Sequence, residues 1–93
     1  VIVEGDVNPG AEIFAGGSIY IWGILRGHAH AGVQGLQNAV IVALDLQSNN
    51  LRIADTHCQE SKIKIKIKKR AEIAFLDGST FKIMDWDQYK RLE

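Results

Sequence analysis

The residue types in this chain that could do chemistry are His28 and His30, two positions apart, and the adjacent pair His57-Cys58. In extended chain, residues i and i+2 share a side, so His28 and His30 could offer two imidazoles to a metal ion. No third ligand lies near them in the sequence. His57 and Cys58 face opposite ways in a strand, which is poor geometry for a thiolate–imidazole nucleophile. The expectation is surface or corner histidines and a half-buried thiol. No GxSxG, HExxH, CxxC or GxxxxGK[ST] pattern occurs. The reading is a non-enzyme, with no catalytic residue, metal or cofactor assigned.

Any other function must come from the elements that carry these residues, and those elements repeat. Eight of the nine glycines fall before residue 36, and ten of the eleven basic residues fall after residue 40. Apolar runs from Val1 and Ile19 both stop at glycine, at Gly5 and Gly23, 18 residues apart. Ile13-Phe14-Ala15-Gly16 answers Ala29-His30-Ala31-Gly32 at a spacing of 16, and a third unit covers Ala39 to Leu46 and Leu51 to Ala54. Short β-branched and aromatic runs broken by glycine leave no window for helical periodicity. Repeats of this length predict a solenoid of stacked coils, an all-β right-handed β-helix of triangular section. Corners would fall at Gly5, Gly10, Gly17, Gly23, Gly27, Gly32 and Gly35, where positive φ is tolerated. Inward positions would hold Val1, Val3, Ile19 and Ile21 on one face and Ile13, Ala15, Ala29 and Ala31 on another.

The second half stays in the β class. Lys62 to Lys68 alternates Lys and Ile, the period of a strand with one wet face, and reads as a guarded capping edge, with weak contact to anionic lipid as the competing reading. Glu72 to Leu76 and Thr80 to Met84 flank Asp77-Gly78-Ser79 as a hairpin. The β-helix domain is therefore expected over 1–84 and a polar tail over 85–93, with a helical turn left open there.

Composition bounds the partners. Eleven Lys plus Arg balance eleven Asp plus Glu, so the chain lacks the basic excess that phosphate backbones require and is not expected to bind nucleic acid. One cysteine excludes an internal disulfide and suits a reducing cytoplasm. No apolar run approaches a membrane span, and the chain reads as soluble. It begins in an apolar run without Met, and the expectation is a piece of a longer protein.

Two surfaces follow from stacking. Equivalent bends align, so Asn8, Pro9, Gly10 and Glu12 would lie beside Arg26, Gly27 and His28 as a polar ridge. On the residues alone, Asn8-Pro9-Gly10 is also plain turn chemistry, and Glu12 with Arg26 an exposed ion pair contributing at most about 1 kcal/mol. If Ile19 and Ile21 point inward, Tyr20 and Trp22 point outward beside Ile2 and form an apolar face suited to a homodimer, unless a flanking segment such as the Trp86 and Tyr89 tail covers it.

GDVNPGAEIFAGGSIYIWGILRGHAHAG, from Gly5 to Gly32, resembles the C-terminal domain of the MinC family of bacterial septum-site-determining proteins, and Leu51 to Asp55 and Glu72 to Gly78 fit the same pattern. The resemblance implies a dimeric β-helical adaptor that inhibits division, binds the ATPase MinD and helps target the tubulin-like FtsZ. It would reach the membrane only through MinD. It also implies a MinD surface on Asn8, Pro9, Gly10, Glu12, Arg26, Gly27 and His28, with a further turn and an N-terminal domain upstream of this sequence. The alternative is a bactofilin-like cytoskeletal scaffold that stacks end to end. The hexapeptide acyltransferases, which are also β-helical, fit less well because their six-residue aliphatic period is absent.

Overall fold

The computed structural model describes residues 1–48, 50–58, 71–78 and 80–91. The chain forms β1 (Ile2–Glu4), β2 (Glu12–Phe14), β3 (Ile19–Leu25), β4 (His28–Ala31), β5 (Ile41–Leu46), β6 (Leu51–Ile53), β7 (Thr56–His57), β8 (Glu72–Asp77), β9 (Thr80–Asp85) and the short helix α1 (Trp86–Arg91). The strands are brief because glycine and polar bends interrupt every apolar run.

The first six strands alternate between two sheets. Strands β1, β3 and β5 lie side by side and parallel in one sheet, and β2, β4 and β6 do the same in the other. Parallel neighbours cannot be joined by a tight hairpin, so each return to one sheet passes through the other. Both sheets then turn antiparallel: β8 pairs with β5 and with β9, and β7 folds back on β6. The result is an all-β architecture of two mixed sheets. The Lys62 to Arg70 segment lies outside the described residues.

Alternation within the strands sets the core. Ile19, Ile21, Ile41 and Ala43 point inward from the first sheet, and Ala29, Ala31, Leu51 and Ile53 from the second, all of them buried. The alanine pair lets the second sheet approach closely, while Ile and Leu fill the remaining space. Ala74 continues the inward row onto β8 through its pairing with Ile41. Val1 departs from the expected inward set and is 57% exposed. It precedes β1, which is the edge strand of its sheet, so among the described residues no further strand packs over it. Val3 and Ile13, on the two edge strands, are half-buried for the same reason.

The corner glycines divide by cause. Gly5, Gly10, Gly32 and Gly35 have positive φ, whereas Gly17, Gly23 and Gly27 do not, which corrects the expectation for those three. Gly23 and Gly27 are required by crowding instead. A Cβ on Gly27 would lie 2.5 Å from the Ala11 carbonyl oxygen and 2.6 Å from that of Asn8, and one on Gly23 would meet the Gly5 carbonyl and the Asp6 carboxylate. Gly23 sits in a register irregularity, where three steps from Ile21 to Ile24 on β3 oppose two from Ala43 to Asp45 on β5. That bulge lets Asp6 Oδ1 accept the Ile24 N–H at 2.8 Å.

The hairpin forms, but its pairing extends to Asp77↔Thr80, so Asp77 belongs to the strand and not to the loop. Residues 86–91 form α1, with Trp86 and Tyr89 half-buried. The Tyr89 ring lies 5.0 Å from that of Phe75 on β8.

Candidate protein-binding surfaces

The first surface is built at the bends. Asn8-Pro9-Gly10-Ala11 closes with the Ala11 N–H donating to the Asn8 carbonyl at 3.0 Å, and Gly10 has φ +90°. Pro second and a left-handed Gly third is the pattern of a type II turn. The bend after β3 is laced to it: Arg26 N–H and Gly27 N–H both donate to the Val7 carbonyl at 2.8 and 3.2 Å, and His28 N–H donates to that of Ala11 at 2.9 Å. Because Gly27 has no side chain, the two bends can touch. Between them lies a groove of about 150 Å³ bordered by Pro9, Gly10, Glu12, Arg26, Gly27 and His28, together with Ala11 and Asn50.

Six of the seven ridge residues predicted from sequence therefore line one groove, and Asn8 supports it through its carbonyl. The Glu12–Arg26 ion pair considered for this ridge is not among the ion pairs of the described residues. Arg26 Nε instead donates to Gln47 Oε1 at 3.1 Å, and Gln47 Nε2 donates to Asp45 Oδ2 at 2.8 Å. Gln47 and Asn50, from the bend after β5, were missed by the sequence reading. The available signal for Gln47 was its position: it follows Leu46 at the end of β5 as Arg26 follows Leu25 at the end of β3, and Leu25 and Leu46 are Cα partners.

His28 and His30 share a side, as a strand requires, but they are not equivalent. His28 is half-buried, whereas His30 is only 9% exposed despite lying on the outer face. Its cross-strand partners Phe14 and Arg52 flank it on β2 and β6. Its Nε2 lies 2.8 Å from the Ala54 carbonyl oxygen. The Phe14 ring sits 5.8 Å from His28 and 6.0 Å from His30. The expectation of two surface or corner histidines is thus corrected for His30. Among the described residues no group of three or more His, Cys, Asp or Glu could hold a metal ion. His57 is exposed, while Cys58 is partly buried against the core.

The second surface is the outer side of the first sheet. Ile2, Tyr20 and Val42 form one cross-strand row, and Glu4 pairs with Trp22. Ile2 is 68% exposed, Trp22 59% and Tyr20 40%, with Leu44 also exposed. Val42 and Leu44 join this face by the alternation of β5, a signal present in the sequence but not used. Helix α1 borders it. Trp86 N–H donates to the Ala71 carbonyl at 2.9 Å, and Trp86 closes one side of a hollow of about 320 Å³ with Tyr20, Trp22, Val42 and Leu44. The flanking segment thus covers one margin of the face and leaves Ile2 and Trp22 open. No helix among the described residues is long and apolar enough to cross a membrane.

A polar groove between two bends and an open aromatic sheet face are the two candidate surfaces of this all-β domain. The model of the family described as septum formation inhibitor MinC, C-terminal domain, matches residues 1–86, and the chain belongs to that family. It is 45% identical over 91 residues to the probable septum site-determining protein MinC of Gloeobacter violaceus, covering 98% of this chain and 32% of that protein. The Synechocystis protein of the same description is 38% identical over 91 residues, with 98% and 36% covered. The chain spans about a third of the length of these relatives. Among solved structures, the MinC:MinD cell division protein complex of Aquifex aeolicus is similar at a TM-score of 0.76 and 32% identity, covering 98% of this chain and 77% of that one.

Proposed function

We propose that this chain is the adaptor part of a division inhibitor, with MinD as its protein partner and the groove between Pro9, Gly10, Glu12, Arg26, Gly27 and His28 as the docking site, Asn8 holding the turn. The observation that carries this reading is the likeness over 98% of the chain to a protein solved in a complex with MinD. Physical support comes from the groove itself, a rigid turn laced to its neighbour by backbone hydrogen bonds and bearing both signs of charge. Preorganised polar surface of this kind loses little freedom on binding. In the same reading, the domain homodimerises through Ile2, Tyr20 and Trp22, helps direct the inhibitor to FtsZ, and is brought from the cytoplasm to the membrane by MinD.

The proposed architecture is a right-handed β-helix over residues 1–84 that gives these surfaces their spacing. The alternation of the first six strands between two parallel sets supports it. So does a third row beyond the β3 bulge, where Val7 bridges to Leu25 and Leu25 pairs with Leu46.

The test is co-sedimentation of the chain with MinD and vesicles in ATP and in ADP. Retention in ATP alone is expected. Glu12→Ala should reduce it several-fold, with an unchanged circular dichroism spectrum. Equal retention of Glu12→Ala and the unaltered chain would remove the groove from the reading.

A further inference from the structure

Arg26 differs from an ordinary surface arginine in how it is held. Its Nε hydrogen bonds to Gln47 Oε1 at 3.1 Å, Gln47 Nε2 hydrogen bonds to Asp45 Oδ2 at 2.8 Å, and Asp45 is only 5% exposed. The chain of contacts therefore runs from the protein interior to the groove. A guanidinium carries five N–H donors. One is committed to Gln47, and the four on the two Nη atoms have no ion-pair partner among the described residues.

The geometry points to Asp45 and Gln47 as positioning residues that fix Arg26 to receive a carboxylate of the protein partner. The inference rests on the reading of the groove as the partner site. Three physical points carry it. The planar fork left on the Nη side matches a carboxylate in bidentate fashion, a fit that lysine cannot reproduce. A long side chain already held through Nε loses less rotamer freedom when the partner arrives, so the same contact yields more affinity. The occupant is a single carboxylate and not a phosphate backbone, because Glu12 lies in the same groove and the whole chain has no net charge.

A purely structural role for Gln47, that of satisfying the buried Asp45 carboxylate, predicts a different coupling. The experiment is a double-mutant cycle read as the Kd for MinD in ATP, using the full chain at two salt concentrations. Arg26→Ala is expected to weaken binding by about tenfold or more and to flatten its salt dependence. Gln47→Met should weaken it by about three- to tenfold. The double variant should bind no more weakly than Arg26→Ala alone, because Gln47 acts only through Arg26. Arg26→Lys should not restore affinity. If Gln47→Met unfolds, Gln47→Asn, which shortens the reach by one methylene, replaces it in the cycle. Additive losses, or full affinity in Arg26→Ala, would overturn the inference while leaving MinD binding in place. Failure of the unaltered chain to bind would instead overturn the partner reading, and this inference with it.

Discussion

His30 Nε2 lies 2.8 Å from the carbonyl oxygen of Ala54, and Ala54 is the single non-glycine residue with positive φ among those described, at 52°. A carbonyl only accepts, so the ring nitrogen facing it carries the proton. Arg52 Nε donates to the same oxygen at 3.1 Å. Two side chains on neighbouring strands thus clamp the carbonyl of the two-residue turn joining β6 to β7. The left-handed conformation costs an L-residue about 1–2 kcal/mol, and the clamp offsets part of that cost. His30→Ala is expected to destabilise the fold by about 2 kcal/mol, combining the lost buried hydrogen bond with the lost packing beneath Phe14. Ala54→Val should also destabilise, because a β-branched residue is still less at ease at positive φ. Urea unfolding of both variants is the measurement, and a midpoint unchanged by His30→Ala would remove the clamp.

Gly10 and Gly27 face the same groove but should respond differently to substitution. Gly10 has φ +90° with open space where a Cβ would go, whereas a Cβ on Gly27 would strike two backbone carbonyls. Gly27→Ala is therefore expected to cost about 1–3 kcal/mol, because carbonyls cannot move aside as side chains do. Gly10→Asp should cost about 1 kcal/mol, since Asp tolerates left-handed backbone better than most residues. It should nevertheless weaken retention by MinD while the circular dichroism spectrum stays unchanged. Thermal unfolding and co-sedimentation of the two variants, run in parallel, separate a fold defect from a surface defect.

Much of this arrangement was legible in the chain, and the exceptions have physical causes. Alternation placed Ile19 and Ile21 inside and Tyr20 and Trp22 outside, because a period of two leaves a strand no other choice. The spacing of 16 that aligns Ile13 with Ala29 is the register found between β2 and β4. The reasons for individual glycines were not legible, since Gly23 and Gly27 answer to backbone of the earlier bend around residues 5–11 and not to their own φ. Nor was the burial of His30, which depends on Phe14 and Arg52 arriving from two other strands. Arg26 borders the groove beside Glu12, but the ion pair between them, the competing reading of that ridge, does not form among the described residues. Gln47 takes the Arg26 Nε because the ladder between β3 and β5 continues past the bulge, with Gln47 N–H donating to the Leu25 carbonyl at 3.0 Å.

The outer face of the first sheet yields a prediction about self-association. Trp22 and Ile2 leave more than half of their surface in water, and apolar area left exposed beside a hollow bounded by Trp86 favours contact with another molecule. Trp22→Ala should cost the isolated chain little stability, because so much of the indole is already solvated. It should abolish dimerisation, since a central aromatic commonly accounts for about 2 kcal/mol or more of an interface. Light scattering at high micromolar concentration is expected to give a dimer mass for the unaltered chain and a monomer mass for Trp22→Ala. A monomer mass for both would remove the dimer.

The Asp77–Lys82 pair at the end of the β8–β9 hairpin makes acid stability a local test. The Lys82 Nζ lies 2.8 Å from Asp77 Oδ2. The hydrogen bond from Lys82, followed by its positive charge, holds the Asp77 carboxyl below its ordinary value of 3.8. A carboxyl lowered in the folded state binds protons less readily there than in the unfolded chain. Its stabilising contribution is therefore present above the unfolded value and is lost as pH falls below 3.8 through the folded one. The direction is fixed even though the pair is exposed and its contribution small. In Asp77→Asn that part of the acid loss should vanish, so the difference in urea midpoint between the two proteins should shrink as pH falls from 5 to 2. A carboxyl titration of Asp77 by NMR should give a midpoint below 3.8 in the unaltered chain and move upward in Lys82→Met. A midpoint unaffected by Lys82→Met would show that the lysine does not set it.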